Sequence, residues 1–266
     1  MTAGPPRALL WVQHLLGIGH ARRAAHLARA LADAGVETTV AYGGFPVPGT
    51  NFGRARVMQL PPARAADVDF SALLDAEGRP IDDAWRDRRR ARLGELAQSV
   101  APELIVLETF PFGRRAFRFE LEPLLAAQHS RDRRPIIAAS VRDILVAKAD
   151  PRKPRWMAEA ARRWCDLVLV HGDPAVIPFE ASFPETAAIA DMIRYTGYVG
   201  PQATGPMPVP RDDAGRDEVV ASVGGGAVGE ALLRAAMAAR AFSRRAGDAR
   251  WRLLAGPDLP DATVAA

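Results

Sequence analysis

The chain opens on a short apolar run, residues 8–13 (ALLWVQ), closed by a glycine-bearing loop at 14–19. From residue 20 the pattern becomes alanine-rich, with Ala24, Leu27, Ala28 and Leu31 on one helical stripe. That periodicity predicts a helix over 20–34, stopped by Gly35. The stretch 36–42 reads as the next strand. Strand, helix and strand at this spacing imply parallel strands joined by a right-handed crossover. The alternation then recurs, with strands at 57–60, 104–107, 136–140 and 167–171 and helices at 82–100, 114–127 and 154–164. The last of these opens on a proline, which the first helical turn tolerates. Short apolar strands separated by helices predict an α/β fold built on a Rossmann-like, doubly wound parallel sheet.

Residues 197–217 break this rhythm. Gly197, Gly200, Pro201, Gly205, Pro206, Pro208 and Pro210 interrupt any regular element. The pattern restarts with a strand at 218–223, a tight turn at Gly224, Gly225 and Gly226, a helix at 228–245 and a strand at 251–255. The organisation expected is a first domain over 1–196, a linker over 197–217, and the first βαβ unit of a second Rossmann-like domain over 218–266. Two strands and one helix bury too little surface to stand alone, since even domains of about 60 residues are marginal. The expectation is therefore a chain truncated at its C-terminal end.

Composition narrows the class. Of 266 residues, 48% are hydrophobic and 25% charged, enough apolar surface to offset chain entropy, so disorder over the whole chain is excluded. A single cysteine, Cys165, excludes a disulfide framework and a cysteine-built zinc site. Together with the absence of an export signal it predicts a cytoplasmic location. The net charge is +4, carried almost wholly by arginine. The basic clusters at 86–92, 114–118 and 131–134 are mixed with acids and lack an aromatic stacking platform, so nucleic acid is not the expected partner. Each cluster taken singly reads as a solvated face; peripheral contact with an anionic membrane surface stays open.

Candidate chemistry gathers at strand ends. In Leu16-Gly17-Ile18-Gly19-His20, glycines let the backbone turn and approach a ligand, and a helix N-terminus follows with unpaired N–H groups. His20 sits where the helix dipole disfavours its cationic form, which suits a general base. Gly224, Gly225 and Gly226 stand in the same relation to a second helix, suiting a phosphate. Glu108, Arg142, Asp143 and His171 end or follow strands, on the edge where open α/β sheets bind ligands. For Arg142 and Asp143 a local ion pair is the plainer alternative. The segment Phe110-Pro111-Phe112-Gly113-Arg114-Arg115 sets aromatics beside arginines on the same edge and could hold an acceptor. No metal site and no cofactor are expected, and no G-x-S-x-G elbow marks a hydrolase.

These motifs together resemble a family. The glycine loop ending in His20, the stretch Tyr195-Thr196-Gly197-Tyr198-Val199 and the strand with three glycines resemble the GT-B fold of glycosyltransferase family 28, the MurG-like enzymes. The segments ETFPFGRR (108–115), SVRDIL (140–145), VHGDP (170–174) and YTGYV (195–199) are similar to a bacterial branch of predicted glycosyltransferases. The resemblance implies sugar transfer from a nucleotide-sugar donor, UDP-linked by default, to an acceptor, with inversion and without a metal. His20 would deprotonate the acceptor hydroxyl. Gly17, Gly19 and Gly224–Gly226 would approach the donor diphosphate, and Glu108, Arg114, Arg142, Asp143 and His171 would ring the acceptor cleft. A lipid-linked acceptor would bring the protein to the inner membrane face. The grip on base and ribose would lie beyond residue 266, so the chain by itself is expected to be inactive. The alternatives are a nucleotide-sugar 2-epimerase of the same fold and a non-catalytic nucleotide- or partner-binding module.

Overall fold

The computed structural model describes residues 4–67, 70, 72–146, 150–201, 217–223 and 229–256. Its centre is a seven-stranded parallel sheet formed by β1 (Arg7–Val12), β2 (Glu37–Tyr42), β3 (Arg56–Gln59), β6 (Leu104–Glu108), β7 (Ile136–Arg142), β8 (Leu167–His171) and β9 (Ile193–Tyr195). The spatial order is β3-β2-β1-β6-β7-β8-β9, with every pairing parallel. The chain winds outward from β1 one way and then returns to wind outward from β6 the other way. The point where winding reverses lies between β1 and β6, and there the two following loops part to leave a crevice at the strands' C-terminal edge.

Alternation along the strands splits the core in two. Leu10, Val12, Val40 and Tyr42 face one side and pack against Ala21, Ala24 and Ala28 of α1 (Gly19–Asp33). Leu9, Trp11, Ile105 and Leu107 face the other. There they meet α2 (Asp83–Val100), α3 (Arg118–His129) and α4 (Arg152–Trp164). A short antiparallel pair of two-residue strands, β4 (Arg64–Ala65) with β5 (Leu73–Leu74), precedes α2.

Most expected elements stand within a residue or two of the sequence reading, and the differences have local causes. The helix expected over 114–127 begins at Arg118, because Arg114 adopts a left-handed conformation (φ 59°) and 115–117 form a 3₁₀ turn. The strand β9 and the β4–β5 pair are too short for hydrophobic periodicity to register. Past residue 217, β10 (Glu218–Ser222) pairs in parallel with β11 (Arg250–Leu254), with α5 (Glu230–Arg240) between them in sequence. The helix expected to reach 245 ends at Arg240, where a turn closed by Ala246 N–H donating to Ser243 Oγ (3.1 Å) takes over.

One arginine overturns the reading of residues 86–92 as a solvated face. Arg86, Arg90 and Arg92 do make exposed ion pairs one turn apart. Arg89 instead falls on the buried stripe of α2 with Trp85, Leu93 and Leu96, and its side chain is wholly inaccessible. Its Nε donates to Glu120 Oε2 at 2.6 Å and its Nη2 to Glu120 Oε1 at 2.9 Å. The remaining N–H groups go to Gln13 Oε1 (2.8 Å), Gly43 O (3.1 Å) and Pro61 O (2.8 Å). Trp11 Nε1 also donates to Glu120 Oε1 at 2.9 Å. Gly43 has to be glycine, since a Cβ would stand 2.3 Å from Arg89 Nη2. The ion pair thus stitches α2 to α3, the end of β1 and the loop after β2.

Removing one partner leaves the other charge buried and unpaired. Arg89→Met or Glu120→Gln is expected to lower unfolding free energy by about 3–5 kcal/mol. The double replacement Arg89→Met/Glu120→Leu should lose clearly less than the two single losses added together. Urea denaturation of the three variants checks this; single variants as stable as wild type would refute the assignment.

Candidate functional site

The loops after β1 and β6 flank the reversal point, and their residues build the site. His20 stands in the first turn of α1, and Glu108 is the last residue of β6. Glu108 has no accessible surface. Its Oε1 meets His20 Nδ1 at 2.9 Å and is also held by Arg23 Nη2, one helical turn from His20. Thr109 follows with a left-handed backbone (φ 69°), unusual for a β-branched residue, and its hydroxyl donates to Glu108 Oε1 at 3.0 Å. Gly113 lets this turn close, because a Cβ there would come within 2.6 Å of the Thr109 methyl.

The protons in this web can be assigned. Burial alone would raise the Glu108 pKa. The hydrogen bond from His20 and the charge and hydrogen bond of Arg23 outweigh it and hold the carboxyl at about 2. Glu108 is therefore ionised and accepts only. Ser140 Oγ must then donate to Glu108 Oε2 (2.9 Å), and His171 Nε2 must donate to Ser140 Oγ (2.8 Å). His171 Nδ1 is left to accept from the Thr196 hydroxyl at 2.7 Å. Every donor in the row Thr196, His171, Ser140 points toward Glu108, an arrangement in which successive bonds polarise one another. By the same logic His20 carries its proton on Nδ1, leaving the Nε2 lone pair without a hydrogen bond from any described residue. Burial chiefly lowers the His20 pKa, with Arg114 adding to the fall and Glu108 opposing it. The imidazole is neutral near pH 7 as expected from sequence, although burial is the leading cause.

His20 opens onto a cavity of about 490 Å³. Arg114 and Arg142, picked out from sequence, line the same cavity with Leu15, Phe112 and Met157. The other expected residues lie elsewhere. His171 is buried behind Ser140 with both nitrogens bonded. Asp143 is occupied locally, accepting from Ile144 N–H at 2.9 Å and lying against Gly172. Gly17 and Gly19 have neither a left-handed backbone nor a neighbour within 4 Å of an added Cβ, so the space above them is open. Gly224, Gly225 and Gly226 lie outside the described residues. Arg23, Thr109, Ser140 and Thr196 were not singled out, yet three of them sit in the segments 108–115, 140–145 and 195–199. Those segments and 170–174 converge on Glu108, because each begins at the C-terminal end of an adjacent parallel strand.

Two buried histidines make stability depend on pH. Burial holds both His14 and His171 at about 4, below the ordinary 6.5. Between pH 6.5 and 4 the unfolded chain binds protons that the native state refuses, so stability falls as pH falls through that window. The loss should be roughly 3 kcal/mol per histidine. Glu108 adds a second loss in the same direction, but only below about pH 4.5. Urea midpoints at pH 7 and pH 4.5 test this, with His171→Gln expected to flatten the first window. An unchanged midpoint between those pH values would contradict it.

No family model matches the sequence, and no curated protein does. Solved structures do match. Phytolacca americana UGT2, complexed with UDP-2fluoro-glucose and pterostilbene, is 12% identical with a TM-score of 0.55, covering 100% of this chain and 70% of that one. CalG4, the calicheamicin glycosyltransferase, is 17% identical with a TM-score of 0.52, covering 98% and 68%. Medicago truncatula UGT71G1, complexed with UDP-glucose, is 12% identical with a TM-score of 0.52, covering 98% and 69%. At these identities the likeness is one of fold. The chain has a Rossmann-like α/β fold of the kind found in GT-B glycosyltransferases.

Proposed function

We propose that this protein transfers a sugar from a nucleotide-sugar donor to an acceptor hydroxyl, with His20 as the general base. The observation that carries this reading is the pairing of His20 Nδ1 with the buried, ionised Glu108 at the point where the sheet reverses its winding. Glu108 fixes the tautomer and offsets the positive charge His20 gains when it takes a proton. It has no exposed surface, so it is a positioning residue. His20 Nε2 is the atom that would accept the hydroxyl proton as the acceptor oxygen attacks the anomeric carbon from the face opposite the leaving diphosphate. Attack from that face inverts the centre.

Residues 1–196 would serve the acceptor, 197–217 would be the linker, and 218–266 would open the donor domain. The N-terminus of α1 has no side-chain cap and no acid in its first turn, so its N–H groups and positive potential are available to a diphosphate. Stabilising the leaving group in this way would remove the need for a metal. The open space above Gly17 and Gly19 is consistent with a donor lying there. UDP is the favoured nucleotide because two of the structures of like fold hold UDP-linked sugars. The glycine loop ending in His20 and the four converging segments support family 28 as the affiliation.

The test is sugar transfer and ligand binding by wild type and His20→Ala, each assayed with a complete donor domain in place, because residues 218–266 by this reading only open that domain. Loss of transfer by about 10²–10⁴-fold, with donor and acceptor binding retained, is the expected result. Turnover unchanged in His20→Ala would overturn the reading, as would binding of a nucleotide sugar with no transfer by any form of the protein.

A further inference from the structure

The cavity beside His20 carries charge of one sign. Arg114, Arg115, Arg142 and Lys153 line it, and no described aspartate or glutamate does. Arginines elsewhere on this chain are commonly closed onto carboxylates, as in Arg118 with Glu122, Arg134 with Asp166 and Arg162 with Asp191. Arg114, Arg142 and Lys153 have no such partner among the described residues. Asp150 is near enough for Lys153 and Arg115 to act on its charge, but Arg152 already clamps it with bonds of 2.9 and 3.0 Å. Arg115 is laid over the Trp156 ring at 4.9 Å.

Arg114 is the best placed of the four. Its left-handed backbone follows Gly113, whose N–H is pinned to Thr109 O at 2.9 Å, and its Nε donates to Gln13 O at 2.6 Å. The guanidinium is thereby aimed while its two Nη groups take no described partner. Burial without a directly paired acid presses its pKa down to about 10. A partly buried cation of this kind gains most from an anion that brings a flat pair of oxygens. The remaining lining is mostly apolar, and about 490 Å³ is the size of a small-molecule pocket.

We infer that the molecule presenting its hydroxyl to His20 is a small apolar compound bearing an anionic group, a carboxylate or a phosphate, that pairs with Arg114. This rests on the proposed role of His20 as the base toward an acceptor.

The experiment is calorimetric titration of the full chain with three probes: 3-(4-hydroxyphenyl)propanoate, its methyl ester, and the phosphonate of the same skeleton. Wild type should bind the acid about tenfold or more tightly than the ester, the scale of one charge-assisted hydrogen bond. Arg114→Gln should remove that preference. Arg142→Gln, at an exposed site, should reduce it in part and guards against a folding defect in the first variant. Preference for the phosphonate over the carboxylate assigns the anion as phosphate, and the reverse assigns it as carboxylate; either supports the inference. An ester bound as well as the acid, a preference that survives in Arg114→Gln, or no binding of any probe overturns it. Binding reads Arg114, whereas transfer by His20→Ala reads the base. An acid preference with unimpaired transfer in His20→Ala would sink the catalytic role alone.

Discussion

An ionised carboxylate with no access to water sits at the centre of this molecule. Glu108 ends β6, and desolvating its charge would be costly without compensation. His20, Arg23, Thr109 and Ser140 supply that compensation, and they come from three separate stretches of chain. Satisfying one charge therefore fixes the mutual positions of α1, the turn after β6 and the end of β7. The same requirement places a neutral imidazole at the mouth of a cavity with one nitrogen committed and the other available. Position and tautomer of His20 follow from Glu108, whereas burial, helped by Arg114, keeps the ring neutral against the pull of the carboxylate.

The second buried pair supports the first from behind. Arg89, paired with Glu120, holds the Gln13 side chain, and the Gln13 carbonyl in turn receives Arg114 Nε. The end of β1 is thus pinned before the chain enters the loop that carries His20. Rigid strand ends beneath a short loop are what a base needs if its free nitrogen is to meet a hydroxyl at hydrogen-bond distance. The cavity's positive lining and the neutral state of His20 are also linked. Arg114 lowers the His20 pKa, so the charge that would pair with the proposed acceptor's anion also helps to keep His20 unprotonated.

Much of this architecture is legible in the sequence, because its signal is periodic. Apolar strands alternating with helices foretell the parallel sheet, and the glycine loop before His20 marks the first helix N-terminus. Glu108, Arg142, Asp143 and His171 stand out as polar residues at strand ends, and Arg114 as part of the aromatic–arginine segment on the same edge. Their division of labour is not legible. Whether a strand-end histidine faces a ligand or lies behind its neighbour depends on which strands are adjacent, and β7 and β8 bring Ser140 and His171 within 2.8 Å of each other only in three dimensions. Arg89 is hidden for a different reason. Surrounded by arginines in sequence, it looks solvated, and only the partner Glu120 on another helix allows it inside. Thr196 stands in the quoted stretch 195–199, but its part in the site is not legible because β9, which delivers it, is three residues long.

The most direct test of the central claim is the nitrogen-15 chemical shifts of the His20 ring, followed across pH in wild type and in Glu108→Gln. The account predicts an Nδ1–H tautomer near neutral pH and a pKa below the ordinary histidine value. It predicts a further fall in Glu108→Gln, since the carboxylate that favours the cation would be gone. An Nε2–H tautomer in wild type, or a titration indifferent to the loss of Glu108, would contradict it.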